Sequence, residues 1–366
     1  MALRLSKASM RALRYIAVLS LIGFCPLLVH AETVASVWGS AILRHERDWY
    51  SSTQARAIAD SVLRYQSREG GWPKNTDLAV LPGSGADIPS DGRENTFDNE
   101  GTTLPMQFLA RVIDATADDK YRQAFFRGLD YTLAAQYANG GWPQVYPLRE
   151  GYYSHVTFND NAMIRVLSLL RDVAGGKPPF AFVDEQRRRR AREALERGVD
   201  LILRTQIKQD GVLTAWCSQY DEHTLEPAWA RRYEPPSLSG NESVGIIRFL
   251  MGIPHPEPEV IAAIEGGVRW LQISALRGIR VERFTNDKSE HDKRVVADAD
   301  AGPLWARFYE LGTNRPIFLG RDSVVHYTFA EIERERRTGY AYYGDWAREL
   351  LDEEYPAWKG RTAAER

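Results

Sequence analysis

Apolar side chains recur at three- and four-residue spacing in three stretches, 57–65, 125–137 and 194–207, the period that lines one face of an α-helix. Each stretch ends in Gln followed by polar and Gly residues, a helix-stop signal. The turns that follow are Gly70-Gly71-Trp72-Pro73, Gly140-Gly141-Trp142-Pro143, and Asp210-Gly211-Val212 leading to Trp216, starting about seventy residues apart. Beyond each turn lies a loop and then a second helical stretch, at 104–113, 162–170 and 244–251. These second helices are entered through matching polar elements: Thr96-Phe97-Asp98-Asn99-Glu100, Thr157-Phe158-Asn159-Asp160-Asn161, and Ser239-Gly240-Asn241-Glu242-Ser243. Asp and Asn in such places are natural helix N-caps. A fourth, degenerate copy is predicted, with its first helix at 260–273 and its second at 302–311.

Helical hairpins at a fixed period stack on one another. The expected fold is therefore all-α, an α/α toroid of repeated helical hairpins resembling an (α/α)3 barrel, with long loops at one end forming a cleft. The capping elements would gather at that end, where helix N-termini can converge on an anion. Loop 74–95, with several Gly, Pro, Ser and Asp residues, is the expected mobile rim. Capping alone would account for Asp98 and Asp160, but their recurrence at what read as equivalent points of two copies marks them as candidates for chemistry.

The amino terminus adds a different pattern. Arg4, Lys7, Arg11 and Arg14 precede an apolar run over 15–29 and the small-residue site Val29-His30-Ala31. This is the layout of a signal peptide cleaved after Ala31; the run is short for a membrane span and contains Pro26. The expectation is a leader at 1–31 and a single catalytic domain at 32–366, periplasmic or secreted, with no membrane association after cleavage, working as a monomer. Loss of the leader removes four basic and no acidic residues, taking the formal net charge from −2 to −6. That balance argues against generic nucleic-acid binding, which needs a clustered basic footprint, but leaves room for an anionic substrate held by a few local Arg residues. Cys217 would stand alone, without a disulfide or a cysteine metal site. His155, His223, His255, His291 and His326 lack the spacing of a helical zinc site. Ten Trp and seventeen Tyr suit both a core and a carbohydrate cleft, since sugar rings stack on aromatic faces.

Several longer motifs then become specific. GGWPKN (70–75), TFDNEGTT (96–103), NGGWPQVYP (139–147), HVTFNDNAM (155–163), TAWCSQYDEHTLEPAWARRYEPPSLSGNESVGIIRFLM (214–251) and DADAGPLWARFYELGTNRPIFLGRD (298–322) occur in order. Together they resemble polysaccharide lyase family ten, the pectate lyases, over about 40–352. The resemblance implies export, a toroid-like fold, calcium, and cleavage of polygalacturonate or oligogalacturonate to unsaturated products. Elimination removes the C5 proton of a uronate, which is very weakly acidic, so a positioned base and a cation on the neighbouring carboxylate are both required. On the family pattern Asp98 and Asp160 hold Ca2+ against the substrate, with Asn99, Glu100 and Asn161 close by, and Arg231 falls on the position of the family's Arg base. An Arg base has an ordinary pKa above about 12, so a milder version keeps Arg231 cationic while another group or water takes the proton. Arg232 is the neighbour expected to be solvated or to pair with Glu234. Arg307 and Arg321 match family residues that grip substrate carboxylates, for which a bidentate guanidinium is well suited; an exposed helix face is the plain alternative for Arg307. Lys74 and the amides Asn99 and Asn161 complete the expected substrate contacts.

Two other readings fit parts of the pattern. An inverting glycoside hydrolase could use two carboxylates among Asp98, Asp160 and Asp300 as acid and base. A non-catalytic periplasmic uronate-binding protein would keep the aromatic and Arg lining without turnover.

Overall fold

Four Trp side chains show how the chain is divided. Trp72, Trp142, Trp216 and Trp305 are buried. Each indole N–H donates to a carbonyl of the helix before it: Val62 at 2.9 Å, and Thr132, Ile202 and Leu271 each at 2.8 Å. A buried Trp needs a partner for that donor, and the shared solution ties each helix to the turn that follows it.

The computed structural model describes residues 38–83 and 95–364, all within the compact unit Val37–Arg366. The expected leader at 1–31, and 84–94 of the expected rim, lie outside the described residues. Seven helices carry the repeat: α1 (Thr53–Arg64), α2 (Thr103–Thr116), α3 (Asp119–Ala134), α4 (Ala162–Gly175), α5 (Glu185–Thr205), α6 (Glu242–Met251) and α7 (Pro258–Ser274). α2, α4 and α6 pack side by side as one layer, with α1, α3, α5 and α7 laid against them as the other. The first layer is the more apolar: in α4 Met163, Val166, Leu167, Leu169, Leu170 and Val173 are buried, whereas α5 buries one side and turns its Arg and Glu residues outward. Among the described residues no helix is long and apolar enough to cross a membrane.

The repeated Gln residues do more than end helices. The Gln66 amide donates to Gly70 O and to Ala124 O of α3, both at 2.9 Å. Gln136 donates to Gly140 O and Ala194 O, at 3.0 and 2.8 Å, and Gln206 to Thr214 O and Ala263 O, at 2.8 and 2.9 Å. Each Gln thus clamps its own turn to the outer helix of the next copy. Gly70 and Gly140 sit in the same joint with φ of 108° and 100°, and a Cβ there would lie 2.5 and 2.2 Å from the carbonyl oxygens of Arg127 and Arg197. Gly140→Ala combines a left-handed backbone with a backbone collision, and is expected to cost about 2 to 4 kcal/mol, read as a lower urea midpoint with an unchanged slope.

The all-α toroid expected from the repeat is not what forms. The described chain contains twelve strands: β1 (Val156–Thr157), β2 (Lys208–Gln209), β3 (Val212–Leu213), β4 (Gln219–Tyr220), β5 (Leu238–Ser239), β6 (Ile279–Thr285), β7 (His291–Ala297), β8 (Trp305–Ala306), β9 (Phe308–Tyr309), β10 (Pro316–Leu319), β11 (Val325–His326) and β12 (Tyr343–Gly344). They pair into five small sheets, the largest in the order β11-β10-β9-β5, so the fold is mixed. The fourth copy explains the error. Trp305, Phe308 and Tyr309 mimic helical spacing, yet they are buried in β8 and β9; Pro303 just before them disfavours helix, and large aromatics pack well on a pleated strand. A helical stretch does follow the fourth Trp, but much later: the π-helical turn Leu350–Glu354 leads into α9 (Tyr355–Ala364). Arg248 of α6 reaches Glu349 at 2.9 Å and Glu354 at 2.6 Å, docking that stretch beside α6. The remaining short helix, α8 (Arg334–Gly339), precedes β12.

Candidate active site

The polar elements before α2, α4 and α6 do not cap their helices with side chains: none of the three makes a side-chain cap hydrogen bond. The hydroxyl at the start of the element takes over part of that work. Thr96 Oγ1 accepts from the Asp98 N–H at 3.1 Å, and Ser239 Oγ accepts from the N–H groups of Asn241 and Glu242, at 3.2 and 3.0 Å. The carboxylates are thereby left free of capping. Asp98–Glu100 and Asn159–Asn161 are single tight turns with two successive left-handed residues, Asn99 (φ 46°) with Glu100 (65°), and Asp160 (51°) with Asn161 (60°). Asn and Asp tolerate that region better than most residues.

The register of these turns corrects the sequence reading. The N–H groups of Thr96, Thr157 and Ser239 bond to the carbonyls of Trp72, Trp142 and Trp216, at 3.3, 3.1 and 2.8 Å. Counted from those anchors, Asp98 corresponds to Asn159 and to Asn241, while Asp160 corresponds to Asn99 and to Glu242. Asp98 and Asp160 are not equivalent; they converge from neighbouring turns at positions one residue apart.

Asp98 is buried and accepts from Gln144 Nε2 at 2.7 Å while ion-pairing with Lys74. Lys74 therefore meets a proposed metal ligand in the resting enzyme. Arg307, in the strand region where a helix was expected, is 6% exposed, so it is not a surface helix residue. Its Nη2 donates to Asn159 Oδ1 at 3.0 Å, Asp160 Oδ1 at 3.1 Å and Glu242 Oε1 at 2.5 Å. Glu242 is 1% exposed and also accepts from Ser218, Ser239 and Asn241. Burial pushes the Asp160 carboxyl up from its usual value; Arg307 opposes this, while the charges of Glu242 and Asp98 add to it. Burial would lower the Arg307 guanidinium, but Glu242, Tyr340 and Asp160 overcome it and hold the cation firmly.

Arg231 stands beside this group, half-exposed. Its Nε and Nη2 donate to Glu234 Oε2 and Oε1 at 2.8 and 2.5 Å, and its guanidinium lies over Tyr233 and Tyr340, 5.2 and 5.7 Å from the ring centres. Glu234 is buried, and Tyr340 Oη donates to it at 2.8 Å. It is Arg231, and not Arg232, that Glu234 holds. Burial works against the charged form of Arg231, but Glu234 more than compensates, leaving its pKa above the ordinary Arg value. Tyr340 joins the two halves of the site, since the Arg307 guanidinium also lies over its ring at 5.0 Å.

Other expected site residues are placed elsewhere. Arg321 is exposed and held bidentately by Glu335 at 3.1 and 3.0 Å. Glu335 also pairs with Arg336, whose guanidinium lies 4.5 Å over Tyr233, and that chain of contacts links Arg321 to Arg231. Asn99 donates to Asn75 Oδ1 at 3.1 Å. Asn161 turns away from Asp160, its buried side-chain oxygen packed on Gly245 of α6, and lines a cavity with Asn241, Arg248 and Trp346. Asp300 is an exposed turn residue, outside the cluster. Trp216 is buried and does not reach the site. His155, Asp221 and Glu222 come close in space although their spacing suggests no site. Protein groups already occupy them: His155 Nδ1 lies 2.9 Å from Glu222 Oε2, and Asp221 accepts from the N–H groups of His223 and Thr224. Glu242, Gln144 and Tyr340 were the residues missed. Glu242 had a signal in its place in the third polar element, and Gln144 in following the second Gly-Gly-Trp-Pro turn as Lys74 follows the first.

The family model described as pectic acid lyase matches residues 66–351. Of the solved structures that resemble the chain, two are family 10 polysaccharide lyases. One is a mutant of a family 10 polysaccharide lyase from Cellvibrio cellulosa in complex with trigalacturonic acid: 36% identical, TM-score 0.72, covering 85% of this chain and 95% of that one. The other is the family 10 polysaccharide lyase from the same organism: 34% identical, TM-score 0.72, covering 88% and 99%. No curated protein matches.

Proposed function

This chain belongs to the pectic acid lyase family, and from that premise we propose that it cleaves polygalacturonate and its oligomers at the cluster of Asp98, Asp160, Glu242, Arg307 and Arg231. It is a pectate lyase, similar over most of its length to a lyase solved with trigalacturonic acid. The observation that supports this location is that Asp98, Asp160 and Glu242 converge with Arg307, whose guanidinium shares the Tyr340 ring with that of Arg231, from segments far apart in sequence.

The donors suit calcium. Asp98, Asp160 and Glu242 offer carboxylate oxygens and Asn159 an amide oxygen, and no His or Cys belongs to the group, the set that a hard cation prefers. Asp98 and Asp160 are the ligands we assign. Calcium would supply positive charge to the uronate carboxylate and so stabilise the carbanion-like state. Lys74, released from Asp98, would turn to the substrate. Arg307 holds Asp160 and Glu242 in place and leaves Asp160 Oδ2 unengaged by Arg, while the half-exposed Arg231 faces the sugar.

In the elimination Arg231, once its guanidinium has given up a proton to solvent, takes the C5 proton on a nitrogen, the C4–O4 bond breaks with its electron pair leaving on oxygen, and the C4–C5 double bond forms. The departing O4 takes a proton from solvent. The proposal also includes export through the leader at 1–31 and action as a monomer. Its test is ultraviolet absorbance of the unsaturated product from polygalacturonate, with and without chelator. Reducing ends without that absorbance would replace the lyase with a hydrolase. Asp160→Ala is expected to lose about 100-fold in activity at low calcium and to recover part of it as calcium is raised; loss that calcium leaves unmoved would remove Asp160 from the ligand set.

A further inference from the structure

We propose that the hairpin β6–β7 carries a second carbohydrate site, which binds the carboxylates of a long polyuronate chain through Arg283 and Lys293. The inference rests on the pectate lyase reading above for the nature of the ligand, but on different residues.

β6 and β7 pair antiparallel over seven residues each, with Arg283 opposite Lys293 and Thr285 opposite His291. Side chains two apart share a face, so Arg283, Lys293, Thr285 and His291 form one patch. With Phe284 and Asp292 they line a cavity of about 560 Å³, bounded on another side by Thr338 of α8. That volume lies within the range of small-ligand pockets.

Two like charges directly opposed across strands destabilise a hairpin, and neighbouring carboxylates would ordinarily relieve them. Here the three acids on the strands and at the edge of the turn are each committed to another Arg. Glu282 is held by Arg280 and Arg294, Asp292 by Arg337, and Glu290 by Arg334. Among the described residues Arg283 makes no side-chain hydrogen bond or ion pair, and the Lys293 ammonium has only the Thr338 carbonyl, at 3.1 Å. Burial and the nearby Arg283 both push the Lys293 pKa down, the sign of a cation short of counter-charge. In a chain of net charge −2, this local excess of positive charge at a cavity with two hydroxyls matches a sugar carboxylate flanked by ring hydroxyls.

Position supplies the link to catalysis. Thr338 lies two residues before Tyr340, which contacts Arg231 and Arg307, and Arg336 on the same short helix lies over Tyr233. A polymer engaged at the active site and again at the hairpin gains apparent affinity without any new contact at the reacting bond; a trimer at the reacting bond gains none.

The test is the double variant Arg283→Ser/Lys293→Ser, with the charge-preserving Arg283→Lys/Lys293→Arg as control. Turnover is followed as unsaturated product from trigalacturonate and from polygalacturonate. Binding without turnover is followed as retardation in native gels containing polygalacturonate and chelator. We expect kcat and KM for trigalacturonate within about two-fold of the unaltered enzyme, KM for polygalacturonate raised about five- to ten-fold, and retardation lost, with the control retaining both. An unchanged polymer KM together with unchanged retardation overturns the site, as does an equal rise in KM on the trimer. Equal loss of retardation in gels of dextran sulfate overturns its selectivity for uronates. Should the unaltered enzyme release no unsaturated product, the lyase reading falls, and the gels alone decide the hairpin site.

Discussion

Arg231→Ala is expected to lower kcat on polygalacturonate by about 10³-fold, the scale of losing a positioned proton acceptor and its charge, with no recovery at high calcium. Arg231→Lys should restore little, because an ammonium cannot reproduce the two parallel bonds to Glu234. Near-normal turnover in the Ala variant would end the assignment. The pair with Glu234 also sets a pH test. Arg231 accepts a proton only after losing its own, and Glu234, whose carboxyl is held below its usual value chiefly by Arg231 against the opposing effect of burial, resists that loss. The rate should therefore climb with pH through the alkaline range. Glu234→Gln removes the negative charge that raises the Arg231 pKa, so the climb should move to lower pH. If the profile of Glu234→Gln keeps its position, Arg231 acts as a cation and the proton goes elsewhere.

Arg307→Met is the second large effect, and it falls on stability as well as on substrate. From the sequence, loss of Arg307 would mainly weaken binding. Its burial changes that expectation: it is the cation bonded to Glu242, which is 1% exposed. Removing one partner of a buried ion pair strands the other charge, at about 3 to 5 kcal/mol. Thermal and urea unfolding should show that loss, and Arg307→Met/Glu242→Gln should recover a good part of it without recovering activity. A single variant as stable as the unaltered protein would mean that Glu242 takes up a proton or is reached by water at little cost.

The candidate site was legible to different depths. Asp98, Asp160, Arg231 and Arg307 come together, and each lies within a motif that carried the family resemblance. Arg321 and Asn161 lie in such motifs too, but Arg321 is tied up by Glu335 and Asn161 by α6, partners that motif matching does not reveal. Glu242 was visible only as a cap, because its meaning comes from Arg307, 65 residues away. Tyr340 lies in no repeat and shares no spacing with the residues it joins.

Residue order alone carries the helical repeat, the Gly turn inside each copy, and the family. Apolar spacing and left-handed turns depend on near neighbours, so three copies can be read directly from residue order. The fate of the fourth copy came from packing across the chain, where aromatics at helical spacing pair as strands with β5 and β12. That packing also decided the one-residue offset between Asp98 and Asp160 and the partner of each charge. The physical reason is shared by all three. A buried charge or aromatic ring takes the state that satisfies it, and its partner here lies as far as 148 residues along the chain, as Asn159 does from Arg307, beyond anything that local spacing encodes.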